Sequence, residues 1–172
     1  MKLIEPDEKY VTQIAEYRKE FIDSNDSMDG CGMLSKIEDP IEWIRKTREL
    51  TNKFTIPNGI VQCTQFLCIR EEDDKLVGMI QVRHYFNEFL EKYGGHIGYS
   101  VRPCERRKGY ANFMLSSCLP YCKKIGLKKV LLTCKVSNVG SRKTILKNGG
   151  IYENNVFCEE DKCELERYWI ML

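Results

Sequence analysis

Long apolar runs are missing from this sequence. A transmembrane helix needs about 20 consecutive, mostly apolar residues, and runs such as the one that begins at Val130 are far shorter. The N-terminal segment MKLIEPDEKY has no apolar stretch typical of a secretory signal. Internal repeats, low-complexity tracts and linkers rich in proline, glycine or serine are absent as well. We therefore expect one continuous domain over residues 1–172, located in the cytoplasm and without a membrane partner.

Patterns that bind metals or form disulfides are also missing. The nine cysteines are an odd number without a C-x-x-C pair, and the chain has only two histidines. Several cysteines, among them Cys68, Cys118 and Cys134, fall within apolar periodic segments. This placement is typical of reduced thiols in a protein core rather than of a disulfide framework or a zinc site. We expect free thiols and no metal.

The sequence has little excess charge of either sign. Its 27 lysines and arginines nearly balance 25 acidic residues, which gives a net charge of +2. Domains that bind nucleic acid usually carry a strong basic excess. Basic patches at residues 106–108 and 123–129 leave an RNA-binding domain as one alternative, which would bind with a steep salt dependence. The low net charge and the missing aromatic platform motif favour a protein without a nucleic-acid partner.

The spacing of apolar residues predicts a mixed α/β protein. A short strand precedes a helix that Asp7 caps, and a second helix begins at Pro40. Two strands form a hairpin around the acidic turn 71–74, and HIGYSVR alternates as a further strand. A helix from Gly109, which Pro120 should kink or break, is followed by a buried strand, a capped helix and two final strands. The hairpins predict antiparallel pairing, and the long helical connections predict a parallel part.

Positive charge and a glycine mark the junction between the strand HIGYSVR and the next helix. The segment ERRKGYANFML, residues 105–115, places three cations directly before Gly109. The first turn of a helix leaves N–H groups without partners and carries partial positive charge. Such a helix start favours an anion, and above all a pyrophosphate. Gly109 lets the backbone approach the ligand closely, and Ala111 keeps the next position small. The junction therefore predicts a phosphate site.

Neither of the best-known phosphate loops is present, since the chain has no G-x-x-x-x-G-K-[ST] and no G-x-G-x-x-G after a first strand. Its pattern is R-x-x-G-x-A, which runs from Arg106 through Gly109 to Ala111. Together with the preceding strand, the downstream strand KKVLLTC and Asn138 in SNVGSRKTILKNGG, this pattern resembles the GNAT superfamily of acyl-CoA-dependent N-acetyltransferases. The resemblance implies a mostly antiparallel central sheet flanked by helices, with an acyl-CoA cleft beside a splayed strand.

The resemblance also implies which residues bind acetyl-CoA as co-substrate. The pyrophosphate should lie on the main chain of residues 107–111, with Arg106 at the start of the motif. The pantetheine arm should pair with main-chain groups near Tyr99 and Val101, and Asn138 and Ser141 should contact it from the following helix. Three further cations are weaker candidates for the 3′-phosphate. The full predicted set is Tyr99, Val101, Arg106, Arg107, Lys108, Gly109, Tyr110, Ala111, Asn138 and Ser141, with Arg142, Lys143 and Lys147 for the 3′-phosphate.

The catalytic acid and base are harder to assign. In many family members a tyrosine seven residues after the asparagine can protonate the leaving thiolate, but that position is Ile145 here. Cys134 or Tyr110 could take its place, although either is more typical of packing. For the base, His96 has an ordinary pKa near 6.5, which suits proton abstraction near neutral pH. It could equally shape the loop at the rim of the cleft. His84 is a weaker candidate.

Residues on the acceptor side give only general hypotheses. Glu88 and Glu91 could attract a cationic amine, and Tyr168 and Trp169 could line the acceptor pocket with aromatic faces. The loop 24–39 could form a lid over it. None of these features identifies the acceptor.

We therefore expect an N-acetyltransferase that transfers the acetyl group of acetyl-CoA to a primary amine of a small molecule by direct attack in a ternary complex. A transferase acting on a protein or peptide amine and a non-catalytic acyl-CoA-binding module are the alternatives. The missing tyrosine is the only support for the non-catalytic alternative. The protein should be a monomer or a homodimer.

Overall fold

The structure, a computed structural model, describes all of residues 1–172. It contains seven strands and four α-helices, which alternate along the chain in the predicted order. The strands are β1 Lys2–Ile4, β2 Cys63–Arg70, β3 Lys75–Arg83, β4 Ile97–Val101, β5 Lys129–Lys135, β6 Ile151–Cys158 and β7 Cys163–Met171. The helices are α1 Val11–Asp23, α2 Pro40–Glu49, α3 Tyr110–Lys124 and α4 Val139–Lys147. None of them combines the length and the apolar character that crossing a bilayer requires.

The strands form two sheets, one with the order β1-β2-β3-β4 and one with the order β5-β7-β6. Every ladder in both sheets is antiparallel. The predicted class, a mixed α/β protein with mostly antiparallel strands and flanking helices, is confirmed. The parallel part expected from the helical connections does not form a ladder, because β4 and β5 lie next to each other without pairing.

Two apolar cores lie on opposite faces of the four-stranded sheet. Helices α1 and α2 cover one face with fully buried aromatic side chains, among them Tyr17, Phe21 and Trp43. Helices α3 and α4 cover the other face and extend that core onto the three-stranded sheet. Because side chains alternate along a strand, β2 and β3 supply residues to both cores, and nearly all of β3 is buried.

Pro40 and Asn138 act at the helix starts as predicted, whereas Asp7 caps a short 3₁₀ turn, Glu8–Tyr10, that leads into α1. Asp39 accepts a hydrogen bond from the backbone N–H of Ile41 at 2.9 Å, and Pro40 occupies the first turn of α2. Asn138 caps α4, and all nine cysteines are free thiols. The prediction for Pro120 is wrong in one respect, because α3 continues through it without a break. The carbonyl of Ser116, which loses its donor, belongs to an exposed residue and can be solvated.

His96 joins the two sheets. Its backbone N–H donates to the carbonyl of Leu131 on β5 at 2.7 Å, and its ring Nδ1 accepts from the N–H of Leu131 at 2.9 Å. The preceding Gly95 has a φ of +64°, and a Cβ there would lie 2.5 Å from the Leu131 carbonyl oxygen. The joint therefore needs glycine at position 95 and a ring acceptor at position 96. Beyond it, β4 and β5 run on unpaired.

Replacement of His96 tests this joint. We expect His96→Ala to lower the free energy of unfolding by about 1–3 kcal/mol, because the Leu131 N–H loses its acceptor in a buried site. His96→Asn offers a carbonyl oxygen at a similar position and should restore much of the loss. Urea denaturation at pH 7 measures both. Equal stability of the Ala and Asn variants would show that the ring acceptor is dispensable.

The joint also has a pH dependence. Burial, with a smaller contribution from Arg83, lowers the pKa of His96 from 6.5 to about 4. The unfolded chain therefore binds a proton at a higher pH than the folded one, and stability falls as the pH drops from 6.5 towards 4, by about 2 to 3 kcal/mol for this group. In His96→Asn this contribution is absent, so its deficit relative to the wild type should shrink between pH 7 and pH 4.5. A constant deficit would contradict the prediction.

Candidate active site

The gap between β4 and β5 exposes the edge of β4. The hydrogen bonds from Arg83 N to His96 O and from Arg102 N to Val77 O place the even-numbered residues of β4 in bonded pairs with β3. Because bonded and non-bonded pairs alternate in an antiparallel ladder, the main chain of Ile97, Tyr99 and Val101 faces away from β3. No strand pairs with that edge. It can therefore accept an extended ligand as an added strand.

The start of α3 lies at the open end of this gap and carries a row of free amides. The backbone N–H groups of residues 107–112 have no acceptor within the protein. Arg107 has a φ of +66° and Gly109 a φ of +87°, so the chain turns sharply before the helix begins. Six consecutive free donors at a helix start form a site that suits an anion with several oxygens. The phosphate site predicted from the sequence therefore has the required donors.

The three cations of the motif have different partners. Arg106 forms an ion pair with Asp26 and donates to the carbonyl of Val101 at 3.2 Å. Lys108 is paired with Glu105 at 2.8 Å. Arg107 is exposed and takes part in no ion pair. Of the three, Arg107 is thus the cation that remains available to a ligand, whereas Arg106 and Lys108 fix the turn.

Glu105 is a functional residue that sequence reasoning missed. It is only 4% exposed and binds three cations, Arg70, Lys75 and Lys108. Hydrogen bonds from Lys108, and then from Lys75, lower the pKa of its carboxyl to about 2. The same Arg70 donates to the hydroxyl of Tyr110 at 2.9 Å. This cluster fixes the turn before α3. In the sequence, Glu105 stands out only as one acidic residue directly before three basic ones.

The opposite wall of the gap is formed by the start of α4. The side-chain oxygen of Asn138 accepts from the N–H of Ser141 at 3.0 Å, and the Ser141 hydroxyl lies 2.9 Å from the hydroxyl of Tyr99 on β4. Tyr99, Asn138 and Ser141, predicted from the motif, are thus brought together across the gap. Burial raises the pKa of Tyr99 to about 12, so its hydroxyl stays protonated.

The weaker phosphate candidates differ in availability. Arg142 donates to Glu166 at 2.6 Å and to the carbonyl of Val136 at 2.6 Å, so it stabilises the connection between β5 and α4. Lys143 and Lys147 are exposed and in no ion pair. The 3′-phosphate role stays a prediction for these two lysines.

The environment of His96 does not suit the role of a base. Its Nδ1 already accepts from Leu131, so the neutral ring carries its proton on Nε2, and its pKa is about 4. The ring also lies against Phe86, with 3.9 Å between centroids. His84 bonds to the Thr64 hydroxyl at 2.9 Å, and burial lowers its pKa. Nδ1 of His96 and Nε2 of His84 are thus already engaged in hydrogen bonds within the protein.

The candidate acids are also engaged. Ile145, at the position of the usual tyrosine, is fully buried in the core. Cys134 is buried, and desolvation followed by the nearby Glu166 raises the pKa of its thiol to about 12. The hydroxyl of Tyr110 accepts from Arg70, as described above. Tyr99 is the hydroxyl that faces α4 within one turn of Ile145, and its side chain was not among the acids considered from the sequence.

On the acceptor side, the loop 24–39 packs directly on β4. A Cβ on Gly30 would lie 2.1 Å from the carbonyl oxygen of Gly98, so the backbone of the loop is in direct contact with the backbone of β4. Gln65 donates to the carbonyl of Gly30 at 2.8 Å, and Cys31 Sγ lies 3.0 Å from the Ser100 hydroxyl. These contacts hold the loop against β4, on the face of the sheet that α1 and α2 pack against.

A cavity of about 260 Å³ opens beside this loop at the end of β3. Its walls are mostly apolar, and Arg83 and Gln81 are its main polar groups; neither was predicted from the sequence. The other predicted acceptor residues lie elsewhere. Glu88 and Glu91 border a separate cavity of about 380 Å³ with Glu153 and Arg167. Tyr168 is buried against Glu166, and the ring of Trp169 is covered by Lys129 at 4.1 Å.

An unpaired strand edge beside free amides at a helix start is the arrangement expected of acyl-CoA-dependent transferases with a splayed-strand cleft. The family model described as "Acetyltransferase (GNAT) family" matches residues 32–149. The chain belongs to this family and is an N-acetyltransferase, and acetyl-CoA is the acyl donor that the family uses. A search of curated protein sequences finds no match.

Solved structures with the same fold include acetyltransferases of different acceptors. A mutant spermidine N-acetyltransferase from Vibrio cholerae matches with a TM-score of 0.63 and 18% identity, over 99% of this chain and 95% of its own. A ribosomal-protein-S5-alanine acetyltransferase from Vibrio fischeri matches with a TM-score of 0.72 and 13% identity, over 98% and 91%. RimJ from Mycobacterium smegmatis, in complex with CoA-disulfide, matches with 0.72 and 16%, over 98% and 80%. They leave open whether the acceptor is a small molecule or a protein.

Substitution of Gly109 tests the phosphate site. A Cβ there meets nothing within 4 Å, so Gly109→Leu fills the space in front of the free amides without a clash inside the protein. We expect CoA affinity to fall roughly tenfold or more, because several charge-assisted hydrogen bonds are lost. Isothermal titration with CoA measures the affinity.

Gly126 offers a matched control at the far end of α3. It has a φ of +93° and equally open surroundings, so Gly126→Leu carries a similar backbone strain of about 1–2 kcal/mol. Both variants should lose similar stability, but only the substitution at position 109 should weaken CoA binding. Equal CoA affinities of the two variants would place the pyrophosphate elsewhere.

Proposed function

We propose that this protein transfers the acetyl group of acetyl-CoA to a primary amine of a small molecule by direct attack in a ternary complex. The observation that carries the proposal is the row of free N–H groups at residues 107–112, beside the unpaired edge of β4. The first feature suits a pyrophosphate, and the second suits an extended arm with amide groups. Together they fit coenzyme A.

Donor binding is assigned to the main chain of residues 107–111, with Arg107 as the charged contact. Main-chain groups of Tyr99 and Val101 hold the pantetheine arm, and Asn138 and Ser141 contact it from α4. Because Arg106 already donates to the Val101 carbonyl, the N–H of Val101 and the main chain of Tyr99 are the groups left for the arm. Arg106 and Lys108 act by holding the turn in shape.

The chemistry requires a neutral amine, a polarised carbonyl and a leaving thiolate. When bound, acetyl-CoA supplies the activated acetyl group, and a thiol with an ordinary pKa near 8.5 leaves without strong acid assistance. Free N–H groups on the edge of β4 can polarise the carbonyl oxygen, and the two binding faces align the reactants. Tyr99, which remains protonated, is the hydroxyl best placed near α4 to donate a hydrogen bond to the departing thiolate.

The cavity beside the loop 24–39 supports a small acceptor. Its volume of about 260 Å³ is below the range of drug-sized sites. A protein or peptide amine is the alternative acceptor, and the ribosomal-protein acetyltransferase among the structural matches favours it.

The nine free thiols support a reducing compartment, which is consistent with the cytoplasm.

The direct test is a panel of primary amines with acetyl-CoA, with thiol release and the mass of the acetylated product as readouts. Wild-type protein should release thiol only when an amine is present, and Gly109→Leu should do so far more slowly at low acetyl-CoA concentration. A protein that binds CoA but acetylates none of the small amines or peptides would overturn the proposal. Acetylation of peptides alone would favour the alternative acceptor.

The pH profile tests the proton-transfer assignment. Since His96 has a pKa of about 4, kcat/KM should show no inflection near pH 6.5 and should rise with pH towards the pKa of the amine. His96→Asn should keep the shape of this profile. An inflection near pH 6.5 in the wild type that disappears in His96→Asn would restore His96 as the base.

A further inference from the structure

Arg83 lies at the end of β3, where the cavity beside the loop 24–39 lies next to β4. The side chain is half-buried and lines the cavity. A Cβ on Gly98 would lie 3.3 Å from Nη2 of Arg83, so the guanidinium rests against the middle of β4. A ligand group held by Arg83 is therefore next to the strand edge where the acetyl group is to be presented.

Only one nitrogen of the Arg83 guanidinium donates hydrogen bonds within the protein. Nη1 donates to the carbonyls of Gly94 and Gly95 at 3.1 and 3.4 Å, and Nε and Nη2 have no acceptor. Arg83 takes part in no ion pair. Asp29 acts on it electrostatically from the exposed loop, without contact within 4.0 Å. The free Nε and Nη2 form one fork of the guanidinium, the geometry that binds a carboxylate with two parallel hydrogen bonds.

Besides Arg83, the polar side chains that line the cavity are the neutral amides of Gln81 and Asn87. Met33, Ile60, Val61 and Phe89 contribute to the apolar walls around them. No glutamate or aspartate lines it. A polyamine carries several positive charges and needs acidic partners, whereas the only charged group here is a cation. The site therefore disfavours a polyamine acceptor such as spermidine.

We infer that the acceptor is a small amine that also carries a carboxylate and an apolar substituent, as an apolar α-amino acid does. This inference rests on the proposed function and names the substrate class of the same site. The carboxylate binds the fork of Arg83, the apolar substituent fills the cavity, and the amine lies beside β4. Because Arg83 is in contact with that strand, only a few bonds separate the carboxylate from the amine.

Matched acceptors separate these features. Leucine, leucine amide and 3-methylbutylamine share one side chain and differ in the carboxylate, and phenylalanine with its amide and phenethylamine forms a second series. Wild-type protein should use at least one free amino acid with a kcat/KM that exceeds those of its amide and its decarboxylated amine. In Arg83→Gln this preference should fall roughly tenfold to hundredfold, because a charge-assisted bidentate contact is lost. The rate with the decarboxylated amine, which has no carboxylate for Arg83 to bind, should fall less than the rate with the amino acid.

Arg167→Gln is the matched control. Arg167 on β7 donates to the carbonyls of Glu91 and Lys92, in the same connection whose later carbonyls bind Arg83. A loss of preference caused only by loosening this connection would appear in both variants. The inference requires that Arg167→Gln keep the preference and that Arg83→Lys, which retains the charge without the fork, recover only part of it.

The outcomes distinguish this inference from the proposed function. Turnover of amines with no preference for a carboxylate, or spermidine as the best acceptor, would overturn the inference and leave the acetyltransferase activity standing. A preference that survives in Arg83→Gln would overturn it as well. Absence of any acetylated product with either series, peptides or spermidine would refute the proposed function itself.

Discussion

The contact between His96 and Leu131 determines how the two sheets meet. Two hydrogen bonds, one through the main chain and one through the imidazole ring, close the narrow end of the gap. Beyond this point β4 and β5 diverge, and the edge of β4 has no partner strand. Thr133 and Arg167 bond to the connection that precedes β4, but the joint is where the two sheets meet beside β4 itself. The cleft proposed for acetyl-CoA thus exists because β4 and β5 are joined at His96 and unpaired beyond it.

The proposed donor and acceptor sites approach the same strand from different sides. The free amides before α3 and the capped start of α4 lie on one side, and the loop 24–39 with the cavity at Arg83 lies on the other. Alternation along β4 explains how one strand serves both. Tyr99 and Val101 point their side chains into the core with α3, whereas Gly98 and Ser100 contact the loop.

Features with local causes could be predicted from the sequence. The helix start at Gly109, the cap at Asn138 and the hairpin at residues 71–74 each depend on residues within a few positions of one another. The phosphate site was predictable for the same reason, since a helix start supplies its own donors. The resemblance to a family then extended this local prediction to the whole fold.

Features with distant partners could not be predicted in this way. His96 was considered as a base because its ordinary pKa is suitable, but its partner Leu131 is 35 residues away and buries it. Glu105 and Arg83 were missed because their roles depend on which charges the fold brings near them or keeps away. Of the kink or break expected at Pro120, the break did not occur, since the helix is held by its buried face over its whole length.

The contact of Gly30 with Gly98 has a consequence for how acceptor preference can change during evolution. Since neither position tolerates a Cβ without displacing the backbone, the loop is anchored at one point that must stay constant. Residues on either side of the anchor, such as Met33 beside the cavity, are free to vary in size and polarity. New specificities can therefore arise by exchange of neighbouring side chains, while the strand that presents the acetyl group remains undisturbed.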